Sequence, residues 1–80
     1  MNLYFQHSND TVSLVAQNVA DDKNLYKLIN ADVKKRNPKF KIYYIRTWKI
    51  KDHTIFDVGS HTEFYILTDN VYKDGEIPPV

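Results

Sequence analysis

The 80-residue chain has no cysteine. Neither a disulfide framework nor a thiolate metal site can be built from it, and a reducing, cytoplasmic setting is expected. Glycine is almost as scarce. Gly59 and Gly75 are the only two, too few for a Gly-rich phosphate loop or a dinucleotide fingerprint. Apolar runs stop at four or five residues, far short of the roughly 20 that span a bilayer. No charged n-region followed by an apolar h-region opens the chain, so no signal peptide is expected. The length suits one small domain, which buries only about 60% of its unfolded surface and so has a thin margin of stability.

What is present is unevenly distributed. The formal net charge is only +1, yet residues 34–51 hold eight basic side chains and no acidic one. Residues 1–33 carry two basic and four acidic side chains, and residues 52–80 one basic and six acidic. The central basic block is the strongest physical signal in the chain. Asn, Lys, Ile, Tyr and Phe make up 33 residues against 10 for Gly, Ala, Arg and Pro, a bias that points to an AT-rich genome.

Asn2 to Gln6 reads NLYFQ, the end of a protease recognition site widely used to remove purification tags. Residues 1–8 are therefore read as a tag remnant and set aside. The competing reading is a natural apolar arm in which Leu3, Tyr4 and Phe5 dock on something. Residues 9–68 then form a single α+β domain, and residues 69–80 a C-terminal tail or short edge strand.

Asn9 or Asp10 can cap a first helix, with Val12, Val15, Ala16 and Val19 as its apolar stripe. Asp21 or Asp22 can cap a second, with Leu25, Leu28, Ile29 and Val33 buried and Tyr26 beside them. Asn37 before Pro38 ends it, either by pre-proline extension or as a left-handed cap. The segment KFKIYYIRTWKI then alternates as a strand. Phe40, Ile42, Tyr44, Trp48 and Ile50 take one face, and Lys41, Tyr43, Ile45, Thr47, Lys49 and Lys51 the other, with Arg46 a misfit among the apolar set.

Two more strands lie within HTIFDVGSHTEFYI, residues 53–66. Placing Phe56, Val58, Phe64 and Ile66 together in one core requires the pairs Val58–Phe64 and Phe56–Ile66, hence an odd loop of Ser60, His61 and Thr62. Gly59 then supplies a bulge or a positive φ. The same parity pairs Ile50 with Phe56 and Trp48 with Val58 across residues 52–54. The expected fold is α+β: two N-terminal helices packed on a three- or four-stranded antiparallel β-meander, ααβββ.

Catalysis has few candidates. Asp57, Ser60 and His61 contain the residue types of a hydrolytic triad, but Ser60 and His61 fall on a hairpin tip with no G-x-S-x-G elbow to expose a nucleophile. A turn needs Gly, Ser and Thr for its own geometry, and Asp57 suits a solvent-facing position. His53, His61, Asp57 and Glu63 make a poor zinc set, because the two histidine-bearing loops lie at opposite ends of one strand. No metal, cofactor or catalytic residue is expected, and a two-layer domain of this size rarely builds a water-excluding pocket. A non-enzymatic role is expected, with a hydrolase using Ser60 and His61 a distant alternative.

Two surfaces remain. By the register above, Tyr43, Ile45, Ile55, Tyr65 and Leu67 share the outer face of the sheet, more apolar surface than a monomer needs. That face is expected to engage a protein partner or a second copy of the chain. The alternative is the basic block: Lys34, Lys35, Arg36, Lys39, Lys41, Lys49 and Lys51 with Tyr43 interleave cations and a ring, as a single-stranded nucleic-acid surface does. Those cations also suit a helix C-terminus and a protected strand edge, and some could be neutralised across strands by Asp57 and Glu63. No membrane partner is expected.

The segment WKIKDHTIFDVGSHTEFYI resembles small uncharacterised proteins encoded by phages and prophages of low-GC Gram-positive bacteria. In those proteins a tryptophan strand is followed by an aspartate–aliphatic–Gly-Ser-His hairpin and an aromatic strand. The resemblance covers about twenty residues and carries over no functional residue. It implies an accessory protein of a mobile element that binds host or phage macromolecules.

Overall fold

The computed structural model describes residues 1–7, 12–42, 46–60 and 63–73. They form β1 (Asn2–His7), β2 (Val12–Ala16), α1 (Lys23–Arg36), β3 (Arg46–Ile50), β4 (His53–Asp57) and β5 (Glu63–Thr68). The strands make one antiparallel sheet in the order β2-β1-β5-β4-β3. A ββαβββ chain with one described helix and five strands replaces the expected ααβββ arrangement. The α+β class stands, but the two-helix layer and the three- or four-stranded meander do not.

The first helix fails for two linked reasons. Its stripe consists of three valines and an alanine, and β-branched side chains favour the pleated surface of a strand. The neighbour that makes a strand possible is β1, built from the segment set aside as a tag remnant or arm. Leu3, Tyr4, Phe5 and Gln6 pair with Ala16, Leu14, Ser13 and Val12. All four are buried. Asn18, at φ 56, turns the chain out of β2, a conformation that asparagine tolerates but a helix interior does not. Asn9 and Asp10 lie outside the described residues.

The second helix forms as its sequence directs. Asp22 caps it, its side chain accepting a hydrogen bond from the Asn24 N–H at 2.9 Å. Leu25, Ile29 and Val33, spaced by four, are buried, whereas Leu28 and Tyr26 are exposed. Lys34, Lys35 and Arg36 occupy the last turn, where cations suit the helix dipole. Asn37 leaves the helical region at φ −143, ψ 90 and does not take the left-handed one, in line with the bar that Pro38 sets against helical backbone at the residue before it.

From β2 at one edge, α1 and the segment after it carry the chain over one face of the sheet to β3 at the other edge. Strands β3, β4 and β5 then return inward until β5 meets β1. Residues 69–73 continue beyond β5 without adding an edge strand.

Both hairpin registers differ from the expectation by an odd number of residues, three between β3 and β4 and one between β4 and β5. Ile50 pairs with His53 and Trp48 with Ile55 across a two-residue turn in which Lys51 takes a positive φ of 56. Asp57 pairs with Phe64, Phe56 with Tyr65 and Ile55 with Ile66. Of the loop between β4 and β5, His61 and Thr62 lie outside the described residues. Gly59 does take a positive φ, at 91. Leu3, Phe5, Phe56, Val58, Tyr65 and Leu67 therefore face α1, with Phe40 and Ile42 packed against the same core. Tyr4, Val12, Ile55 and Ile66 form a second cluster on the opposite face with Ile50, Phe64 and Tyr72. Because both faces are apolar, burial alone cannot select between registers.

Candidate functional site

Arg46 and Trp48 belong to the face opposite α1. There Arg46 Nη2 donates to Asp57 Oδ2 at 2.7 Å, across the pair that the register sets. The misfit of the sequence pattern is one half of a cross-strand ion pair. Asp57 is largely buried and also accepts from the Gly59 N–H at 2.9 Å, which fixes the start of the β4–β5 loop. It is not the solvent-facing residue expected. Ser60 Oγ donates to Glu63 Oε1 at 2.8 Å. Asp57 and Ser60 are therefore bonded to Arg46 and Glu63, and His61 lies outside the described residues.

The five side chains expected on one outer face are not found together. Ile55, Tyr65 and Leu67 are buried by the chain itself, Ile55 on the face opposite α1 and the other two beneath α1. Tyr43 and Ile45 lie outside the described residues. Tyr65 is held by a polar network that the sequence does not advertise. Its hydroxyl donates to Asp32 Oδ2 at 2.6 Å, and Arg36 Nε donates to the same oxygen at 2.6 Å. The Arg36 guanidinium lies over the Phe5 ring, 3.7 Å from its centroid. Burial, with the Asp32 carboxylate beside it, pushes the Tyr65 hydroxyl well above its ordinary pKa. Only the four-residue spacing of Asp32 and Arg36 could have signalled this network.

A second network lies on the opposite face. His53, almost fully buried, contacts the Tyr72 hydroxyl through Nε2. Asp52 Oδ1 lies 2.9 Å from Nδ1, but not aligned as a hydrogen bond. The Tyr72 N–H donates to the Tyr4 hydroxyl at 2.9 Å, and that hydroxyl donates to the Asn70 carbonyl at 3.3 Å. The group contains a carboxylate, an imidazole and a hydroxyl, but His53 is only 2% exposed, which keeps a dissolved substrate from its ring. Its effect is to fasten residues 70–72 across the sheet. Nothing in the sequence links His53 to a tyrosine nineteen positions on. Among the described residues, no three His, Asp or Glu side chains group as metal ligands, and no helix is long and apolar enough to cross a membrane.

The basic block separates into two kinds of cation. Its arginines are engaged, Arg36 with Asp32 and Arg46 with Asp57. Its lysines are not. Lys34, Lys35, Lys39, Lys41, Lys49 and Lys51 are all exposed, and no ion pair is found for them among the described residues. Among the described residues, neither Asp57 nor Glu63 pairs with one of these lysines; Asp57 pairs with Arg46, and Glu63 accepts from Ser60.

These lysines fall on successive parts of the chain. Lys34 and Lys35 end α1, Lys39 and Lys41 lie on the crossover, Lys49 is on β3 and Lys51 in the turn that follows. Strand β3 is the edge of the sheet, and β4 is its partner among the described residues. Trp48 projects from it, 36% exposed, its ring edge-on to Phe64 at 6.1 Å. The alternation that assigned Trp48 to the core concealed it as an exposed aromatic. Between α1 and the crossover lies an open groove of about 430 Å³, lined by Asn30, Lys34, Phe40, Lys41 and Ile42. This chain matches no protein-family model, no curated protein and no solved structure.

Proposed function

We propose that the chain is a small non-enzymatic binding module that holds single-stranded nucleic acid through the exposed lysines between the end of α1 and the β3–β4 turn. The observation that carries this reading is the contrast within the basic block: both arginines are bound internally, while six exposed lysines have no counter-charge among the described residues. Exposed cations with no counter-charge among the described residues suit a phosphate backbone, whose binding releases condensed counterions. The exposed face of Trp48 offers a base a stacking surface at the strand edge. The protein-partner reading loses support, since Ile55, Tyr65 and Leu67 are filled by the chain's own packing. An accessory role for a phage or mobile element, in the cytoplasm, is in keeping with this activity.

Fluorescence anisotropy with labelled single-stranded DNA and RNA at several salt concentrations tests the reading. Each neutralised phosphate contributes a slope of about −0.7 in log K against log salt, so four to six contacts give roughly −3 to −4. Replacing Lys39 and Lys49 together with glutamate should weaken binding at least tenfold. Trp48→Ala should cost about 1–3 kcal/mol if a base stacks there. Absence of binding at low salt, or an affinity indifferent to salt, rules the proposal out.

A further inference from the structure

We propose that the groove between α1 and residues 40–42 is a subsite for one nucleotide unit, an inference that rests on the nucleic-acid reading above. Its lining is divided by chemistry. Lys34 on the helix and Lys41 on the crossover are both exposed and without an ion-pair partner among the described residues. Phe40 and Ile42 form an apolar part, each partly buried because it packs against the helix-side core. Asn30, one helical turn before Lys34, adds an exposed amide that can both donate and accept. The nearby carboxylate of Asp32 does not oppose an anion freely, since Arg36 and the Tyr65 hydroxyl both donate to it.

Two cations, an amide and an apolar wall fit a ligand that is anionic at one end and flat or apolar at the other. A volume of about 430 Å³ lies within the roughly 300–1,000 Å³ typical of small-ligand sites. A nucleoside monophosphate has that size and that division, with the phosphate for Lys34 and Lys41 and the base for Phe40 and Ile42. Phosphate alone uses only the cations. The groove takes Lys34 and Lys41 from the same set of exposed lysines, so a strand held by that set can set one base down there.

The test compares adenosine and uridine 5′-monophosphates, ribose 5-phosphate and inorganic phosphate by calorimetric or NMR titration of the intact chain, beside the labelled oligonucleotide. The mononucleotides should bind at least tenfold more tightly than either phosphate lacking a base. Lys34→Ala and Lys41→Ala should each weaken them at least fivefold. Lys49→Ala should leave them unchanged while weakening the oligonucleotide. Asn30→Phe fills the groove and leaves every cation in place, so it should abolish mononucleotide binding yet reduce oligonucleotide binding less than fivefold. All four positions except Asn30 are exposed lysines, and Asn30 is exposed on the helix, so urea midpoints close to that of the parent are expected. Salt-dependent oligonucleotide binding with no mononucleotide binding overturns the groove and leaves the nucleic-acid reading standing. Equal affinity for nucleotide and phosphate also overturns it, because the groove then reads charge alone. Mononucleotide binding that survives Asn30→Phe has the same effect.

Discussion

The two faces of the sheet are both apolar, but they are covered by different means. On one face, α1 sets Leu25, Ile29 and Val33 against Leu3, Phe5, Phe56, Tyr65 and Leu67. The polar group buried there is the Tyr65 hydroxyl, which donates to Asp32. The opposite face buries Tyr4, Val12, Ile55 and Ile66 but mixes Gln6, His53, Asp57 and Thr68 among them. Its order depends on pairings such as Arg46 with Asp57 and His53 with Tyr72. Helix-side stability should follow apolar volume, while stability of the opposite face should follow hydrogen bonds and charge. The difference can be broken or sharpened one substitution at a time.

The largest effect is expected beneath the helix. Phe56 is 1% exposed, and the exposed Tyr26 ring of α1 meets its ring at 6.0 Å, nearly perpendicular. Phe56→Ala removes that contact and leaves a cavity between α1 and the centre of the sheet. A loss of about 3–5 kcal/mol is expected, enough to unfold much of a domain this small. Chemical denaturation read by circular dichroism should show it. A loss below about 1 kcal/mol would mean that α1 is not what covers this face.

A smaller effect is expected from the polar anchor of the same face. Tyr65→Phe keeps the ring and removes the donor to Asp32, a hydrogen bond to a charged group worth about 1.5–3 kcal/mol. It should also change the pH profile. Burial and Asp32 raise the hydroxyl's pKa above its ordinary 10.0, so the folded chain keeps a proton that the unfolded chain releases. The stabilisation is complete below about pH 10 and is lost as the pH rises from there toward the raised value. Stability of the parent should therefore fall on the alkaline side, and Tyr65→Phe should flatten part of that fall. Parallel alkaline limbs would show that Tyr65 does not carry it.

The same contrast explains what could be read in advance. Helix α1 was legible because Asp22, the four-residue spacing of Leu25, Ile29 and Val33, and Asn37–Pro38 all point to one structure. Gly59 was legible as a positive-φ position. The registers were not, because parity assumes one apolar face, and alternation in β4 and β5 supplies an apolar residue to each. Lys51 added to the difficulty: a two-residue turn there needs a lysine at φ 56, which local preference disfavours. Strand β2 was hidden by the loss of its partner, since VSLVA read without NLYFQH has no strand beside it. In the candidate site, the positions of the lysines were legible as charge. Their lack of a counter-ion among the described residues was not, because it depends on Arg46 pairing with Asp57 across a register that sequence could not fix.

The smallest effect concerns the fastening of the opposite face. Tyr72 reaches back over the sheet with a ring edge-on to Tyr4 at 5.5 Å, a backbone N–H donated to the Tyr4 hydroxyl, and its own hydroxyl against His53. Tyr72→Phe removes only the last of these. The ring contact and the backbone hydrogen bond remain, so about 1 kcal/mol should be lost, or roughly 4–8 °C in Tm for a domain of this size. Hydrogen exchange should locate the effect. Faster exchange confined to residues 70–73 and the β4 amides near His53 would show that the His53 contact holds this segment down. An unchanged Tm would show that ring packing and the Tyr4 hydrogen bond suffice, and that the face without a helix relies on apolar contact as much as the face with one.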